Sequence, residues 1–191
     1  RVEGLSLAAS GPELTLTATG HVEALGEIPE FSVKVEGHTT DLSVLTQAWK
    51  QEWPLTSGLN ATAVGWVDSA AGRVRLSGLK GRVSGRGMTG RFTGRLPVLE
   101  NWERADWSVH LDLLDLGVLM SELDIEWTYP KEGEIALQVR PSNDAEAPFS
   151  VRAELRTEVF EATLKANVSG FDMQAGFDTS FSLVSESSRE L

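Results

Sequence analysis

The absences in this sequence restrict its chemistry first. It has no cysteine, which removes disulfides, thiolate zinc sites and cysteine nucleophiles, and leaves the compartment open. No run of about 18 apolar residues occurs, so no membrane-spanning helix lies within the chain. The three histidines, His21, His38 and His110, stand singly. None has the His-x-His or His-x-x-x-His spacing that metal ligation uses, so no metal and no cofactor is expected. No serine sits in a Gly-x-Ser-x-Gly elbow. The carboxylates are numerous, but no pair is distinguished from the others, so no enzyme is expected.

What is present is one domain's worth of chain. There are 191 residues, 41% apolar, with a net charge of −11. That balance argues against wholesale nucleic-acid binding. The chain opens on Arg1 rather than Met, and is read as a piece of a longer protein.

Apolar and polar residues alternate along most of it. Leu14–Thr19, Phe31–Glu36, Arg73–Ser77, Trp107–Asp112, Ile125–Tyr129, Ile135–Arg140 and Phe149–Leu155 all carry the period of two, as do Val159–Val168 and Phe171–Leu183. That period, with Val, Thr and aromatic enrichment, predicts roughly ten to twelve half-buried antiparallel strands. Helix is scarce. Short helices are expected only near 41–49, where Thr40 or Asp41 can cap, and near 115–123. Each is too short to persist unless packed on an apolar sheet face.

A repeat links these elements. Phe31-Ser-Val-Lys-Val-Glu precedes Asp41-Leu-Ser-Val-Leu, and Trp107-Ser-Val-His-Leu-Asp precedes Asp115-Leu-Gly-Val-Leu. A strand–helix–strands unit used twice divides the chain into 1–104 and 105–191, within one continuous module.

Charge is segregated. Residues 1–72 carry three basic and nine acidic side chains, and residues 99–191 carry seven and nineteen. Between them, residues 73–98 carry seven basic and no acidic ones: Arg73, Arg75, Lys80, Arg82, Arg86, Arg91 and Arg95. This island is a candidate patch for anionic headgroups or an acidic partner. The plainer reading is outer-face charge opposite acidic neighbours on adjacent strands. It lacks interleaved exposed aromatics, so it does not resemble a single-strand nucleic-acid platform. Gly85-Arg86-Gly87-Met88-Thr89-Gly90 matches G-x-G-x-x-G. No helix pattern follows it, so hairpin turns are expected there rather than a nucleotide site. The six tryptophans, Trp49, Trp53, Trp66, Trp102, Trp107 and Trp127, fit either a core or the mouth of an apolar cavity.

About a dozen one-sided strands with two short helices leave a large apolar face to cover. Two packed sheets, a closed barrel, or a curled trough filled by lipid would each do so. The repeat and the covering helices favour the trough.

The run Phe31–Gly37, Asp41–Leu45, Trp53-Pro-Leu-Thr-Ser-Gly-Leu to Gly65, Arg73-Val-Arg-Leu-Ser-Gly-Leu-Lys-Gly81 and Thr89–Leu96 resembles the AsmA family of Gram-negative envelope proteins. Residues 105–140 resemble it more loosely. The resemblance implies a mainly β, elongated, curled antiparallel sheet. It implies a periplasmic body anchored in the inner membrane by a segment outside this chain. It further implies lipid transport between the inner and outer membranes, with phospholipid as the partner and envelope proteins as further ones. On that reading acyl chains would lie on Phe31, Val33, Val35, Val74, Leu76, Phe92, Trp107, Val109 and Leu111. The alternative is a β-sandwich module of the envelope that binds proteins and no lipid.

Overall fold

The computed structural model describes residues 2–24, 30–44, 57–98, 104–121, 126–128, 130–144, 148–168 and 177–185. The protein is mainly β. Eleven antiparallel strands follow one another in chain order in one open sheet, β1 to β11. The first and last strands are not neighbours, so among the described residues the sheet is open and not closed into a barrel. The chain divides into two compact units, residues 1–86 with 91–102, and residues 87–90 with 103–191.

The first unit contains β1 (Val2–Ser10), β2 (Leu14–Ala24), β3 (Glu30–Thr39), β4 (Asn60–Ala70), β5 (Arg73–Gly85) and most of β6 (Met88–Leu96). Successive side chains of a strand alternate between faces, so cross-strand partners share a face. Phe31 stands between Val22 and Ser69, and Ser69 opposes Val74. Val33 stands between Gly20 and Val67, and Val67 opposes Leu76. These rows make one apolar face. Its reverse carries Thr15, Thr17 and Thr19 of β2, Lys34 and Glu36 of β3, and Trp66 and Asp68 of β4.

The second unit contains β7 (Asp106–Leu113), α1 (Leu116–Ser121), β8 (Gly133–Pro141), β9 (Phe149–Arg156), β10 (Phe160–Val168) and β11 (Phe177–Ser185). Its registers again place like with like. One row runs Val109, Leu137, Ala153, Leu164, Phe181, and the next Leu111, Ile135, Leu155, Ala162, Leu183.

Tight turns join the strands where the chemistry permits. Ala71 and Gly72 both have positive φ, 51° and 74°, as do Arg86 and Gly87, 51° and 73°. Two successive left-handed residues match the twist of a two-residue hairpin. The G-x-G-x-x-G stretch is therefore a turn entering β6.

The expected helices are present only in part. Around 41–49, the described residues show a helical onset at Ser43 and Val44, and 45–50 lie outside the described residues. The Ser43 amide donates to Asp41 Oδ1 at 2.9 Å, which makes Asp41 the cap. That amide bond, helped by the Ser43 hydroxyl, holds the Asp41 carboxyl below its ordinary value. In the second unit α1 is six residues long, and the Gly117 amide donates to Asp115 Oδ1 at 3.0 Å.

The strand expected at Ile125–Tyr129 is not formed at 126–128. The Trp127 indole instead donates to the Pro130 carbonyl at 2.7 Å and meets Phe160 edge-on at 6.0 Å. A local side-chain anchor and a proline outweigh the alternation there.

Buried side chains gather at the sheet ends where these short helices begin. In the first unit Thr39, Ala61 and Val83 are aligned and buried, with Leu59 beside them. The Leu42 amide bonds to the Leu59 carbonyl there. In the second unit Leu113, Leu116 and Pro130 are buried together with the start of α1, whose Leu116 amide bonds to the Lys131 carbonyl. The central rows of the first unit carry buried Val33 and Ser69 beside half-buried Phe31, Val67 and Leu76. Those of the second unit become exposed toward β11.

Candidate functional site

Alternation at β3, β5 and β6 brings six of the nine expected liners onto one face of the first unit. Phe31 and Val74 share one cross-strand row, through Ser69, and Val33 and Leu76 share the next, through Val67. Val35, Leu76 and Phe92 line a depression of about 210 Å³ over β2–β5. Leu14, Leu16, Ala63, Gly65 and Leu79 are among the other residues lining it. Phe92 reaches it because Gly81 has no side chain. A Cβ at Gly81 would strike the Phe92 ring and the Thr62 carbonyl. Pockets for drug-sized ligands run about 300–1,000 Å³. This one is smaller and almost wholly apolar, so it suits a segment of hydrocarbon rather than an enclosed polar molecule.

The other three liners, Trp107, Val109 and Leu111, fall on one face of the second unit. Trp107 opens the row Val139, Val151, Ala166, Thr179. Exposure grows toward β11. Leu164 is 38% exposed, Leu183 59% and Phe181 68%. These three adjoin, since Leu164 opposes Phe181 and Ala162 opposes Leu183. Leu16, Leu137, Leu164 and Phe181 were not among the expected liners, although each shares the alternation that marked the rest.

The basic residues lie on the reverse face. Arg73 and Arg75 oppose Ala70 and Asp68, and Lys80 and Arg82 oppose Val64 and Thr62. Arg91 and Arg95 flank inward Phe92 and are exposed. Arg86 sits in the turn and donates to the Ser57 carbonyl at 3.3 Å. Acidic cross-strand neighbours were the plainer expectation for this island. On β4 only Asp68 fills that role, at 3.5 Å from Arg75 Nε, while also accepting from Ser32 and Ser77. Among the described residues no carboxylate pairs with Arg73, Lys80, Arg82 or Arg91. The island also has its aromatic. Trp66, opposite Lys34 and Ser77 on this face, is 45% exposed.

The second unit's polar face is balanced. Arg152 pairs with Glu154, Arg156 with Glu161 at 3.4 Å, and His110 with Asp112 at 3.3 Å. Hydrogen bonding to Glu161 pushes the Arg156 guanidinium above its ordinary value. A wide depression of about 680 Å³ near Asp112, Lys131, Glu134 and Arg156 lies among such charges. No three His, Asp or Glu side chains converge on a metal-sized point among the described residues, and no described helix is long and apolar enough to cross a membrane.

Set against family models, curated proteins and solved structures, the chain matches none of them.

Proposed function

We propose that this chain is a non-enzymatic lipid-holding segment, whose apolar sheet faces lie against phospholipid acyl chains. The observation that carries the reading is the ordered apolar rows that are exposed toward β11 among the described residues, above all Leu164, Phe181 and Leu183. Each methylene removed from water contributes about 0.8 kcal/mol. Two acyl chains therefore bind by area alone, with no polar ligand required. The likeness of residues 31–96 to the AsmA family supports the same reading. On it the segment belongs to a periplasmic body, held to the inner membrane by sequence outside this chain and moving phospholipid between the two membranes.

The test is extraction. The protein is purified without detergent, its fold is checked by circular dichroism, and bound lipid is identified by mass spectrometry. Phospholipid should co-purify, and the Phe181→Ser, Leu183→Ser double variant should carry less of it. Repeated lipid-free preparations of folded protein would overturn the proposal and favour an envelope module that binds proteins through the same rows.

A further inference from the structure

The polar face of the first unit poses a separate question from the apolar one. In a strictly alternating β5, residues 75 and 80 would point to opposite faces, because their spacing is odd. A β-bulge prevents this. Val64 opposes Lys80 while Trp66 opposes Ser77, so β5 carries one extra residue at Gly78–Leu79. Gly78 has a φ of 58°, a left-handed value that glycine adopts without strain. The bulge restores phase. Arg73, Arg75, Lys80 and Arg82 share one face, and Leu76 and Leu79 share the other. β6 adds Arg91 and Arg95 to the basic face. The two strands thus present six cations and no acid there. Beside them on β4 stands Trp66, half exposed in a position where burial is available one residue away at Gly65 or Val67.

We propose that this face of β5 and β6, with Trp66 beside it on β4, docks on an anionic lipid bilayer, with Arg73, Lys80, Arg82 and Arg91 against lipid phosphates and Trp66 at headgroup depth. Charge complementarity selects the partner's sign. The isolated indole among long, flexible cations selects a membrane interface, where Trp places its apolar body inward and its N–H outward. A single-stranded nucleic acid would call for a series of stacking aromatics, and only Trp66 is available among the described residues of this face. The chain's overall −11 does not forbid the contact. At physiological ionic strength charges beyond about 8 Å are largely screened, so the local strip governs the approach. This inference does not rest on the acyl-chain reading, which concerns the opposite face.

The experiment is sedimentation of the full chain with lipid vesicles. Vesicles containing phosphatidylglycerol should bind it at low salt and release it at high salt, while phosphatidylcholine vesicles should not bind. Removing one surface cation weakens such binding about five-fold. The double variant Arg73→Gln, Arg82→Gln should therefore bind about 25-fold more weakly, and Arg73→Lys, Arg82→Lys should bind like the parent. Tryptophan emission should shift to the blue on anionic vesicles, and Trp66→Phe should abolish the shift. All these positions are surface sites, and circular dichroism verifies the fold. Equal binding to neutral vesicles, full binding by the glutamine double variant, or binding to an acidic protein or to DNA without vesicle binding would each overturn the proposal.

Discussion

The two units are built on one plan and finished differently. Each has an apolar face of in-register rows, and each buries side chains at the sheet end where a short helix begins. On the polar side they part. The second unit pairs its charges along and across strands, as at Arg152–Glu154 and Arg156–Glu161. The first pairs Lys34 with Glu36 along β3 but gathers cations on β5 and β6 beside a β4 whose one acid is Asp68. On the apolar side the first unit lines its depression with Ala, Gly and Val among its leucines, whereas the second raises Leu and Phe side chains toward β11. An apolar face held by alternation leaves its reverse free to vary, because the two faces share a backbone but no side chains.

Five substitutions would sharpen this contrast or break it. The largest effect is expected at the covered end of the second unit. Leu116 is fully buried, and Leu116→Ala should lower stability by about 3–4 kcal/mol, read as a shift in urea midpoint at constant slope. Phe181→Ser, on the uncovered row, should change stability by no more than about 0.5 kcal/mol. Equal losses at the two sites would show that β11 is covered after all.

Two strand glycines, one in each unit, give the next test. A Cβ at Gly20 would overlap the Ser32 carbonyl and press on Val33 Cα at 2.7 Å. Both are backbone, which cannot move aside as a flexible side chain can. Gly20→Ala should cost about 1–3 kcal/mol. At Gly133 the nearest atom, the Arg156 carbonyl oxygen, is 3.2 Å away, so Gly133→Ala should cost less. A reversed order would mean that β2 and β3 are farther apart than the register requires.

The smallest effect concerns Asp41, whose carboxyl is held below its usual 3.8 by the Ser43 amide. A depressed carboxylate adds stability that is complete above the unfolded value and is lost as pH falls through the folded one. An asparagine in this place would keep the cap and remove the titration. Asp41→Asn should therefore match the parent near neutral pH and lose less of its urea midpoint between about pH 5 and pH 2. An unchanged acid limb would remove Asp41 from the pH response.

Most strands were legible because period two is a direct image of the pleat. Phe31-Ser-Val-Lys-Val-Glu and Trp107-Ser-Val-His-Leu-Asp could be placed face by face from residue type alone. The same rule failed at Ile125–Tyr129, where Trp127 found a local carbonyl partner in Pro130. It also could not assign Lys80 and Arg82, since a bulge shifts phase without a clear mark beyond a glycine. The exposed Trp66 was equally hidden, because nothing in the spacing of six tryptophans tells core from surface.

By itself, the sequence determined the strand-rich character, the apolar and polar sides of most strands, the charge island, and the absence of thiol chemistry. These depend on residue type and local period. Tertiary structure alone decided that the sheet stays open, that the rows toward β11 are exposed, and that the cations meet Trp66 on one face. Those outcomes depend on which strands pair and where register slips, and pairing energy is spread over many distant residues rather than written at any one of them.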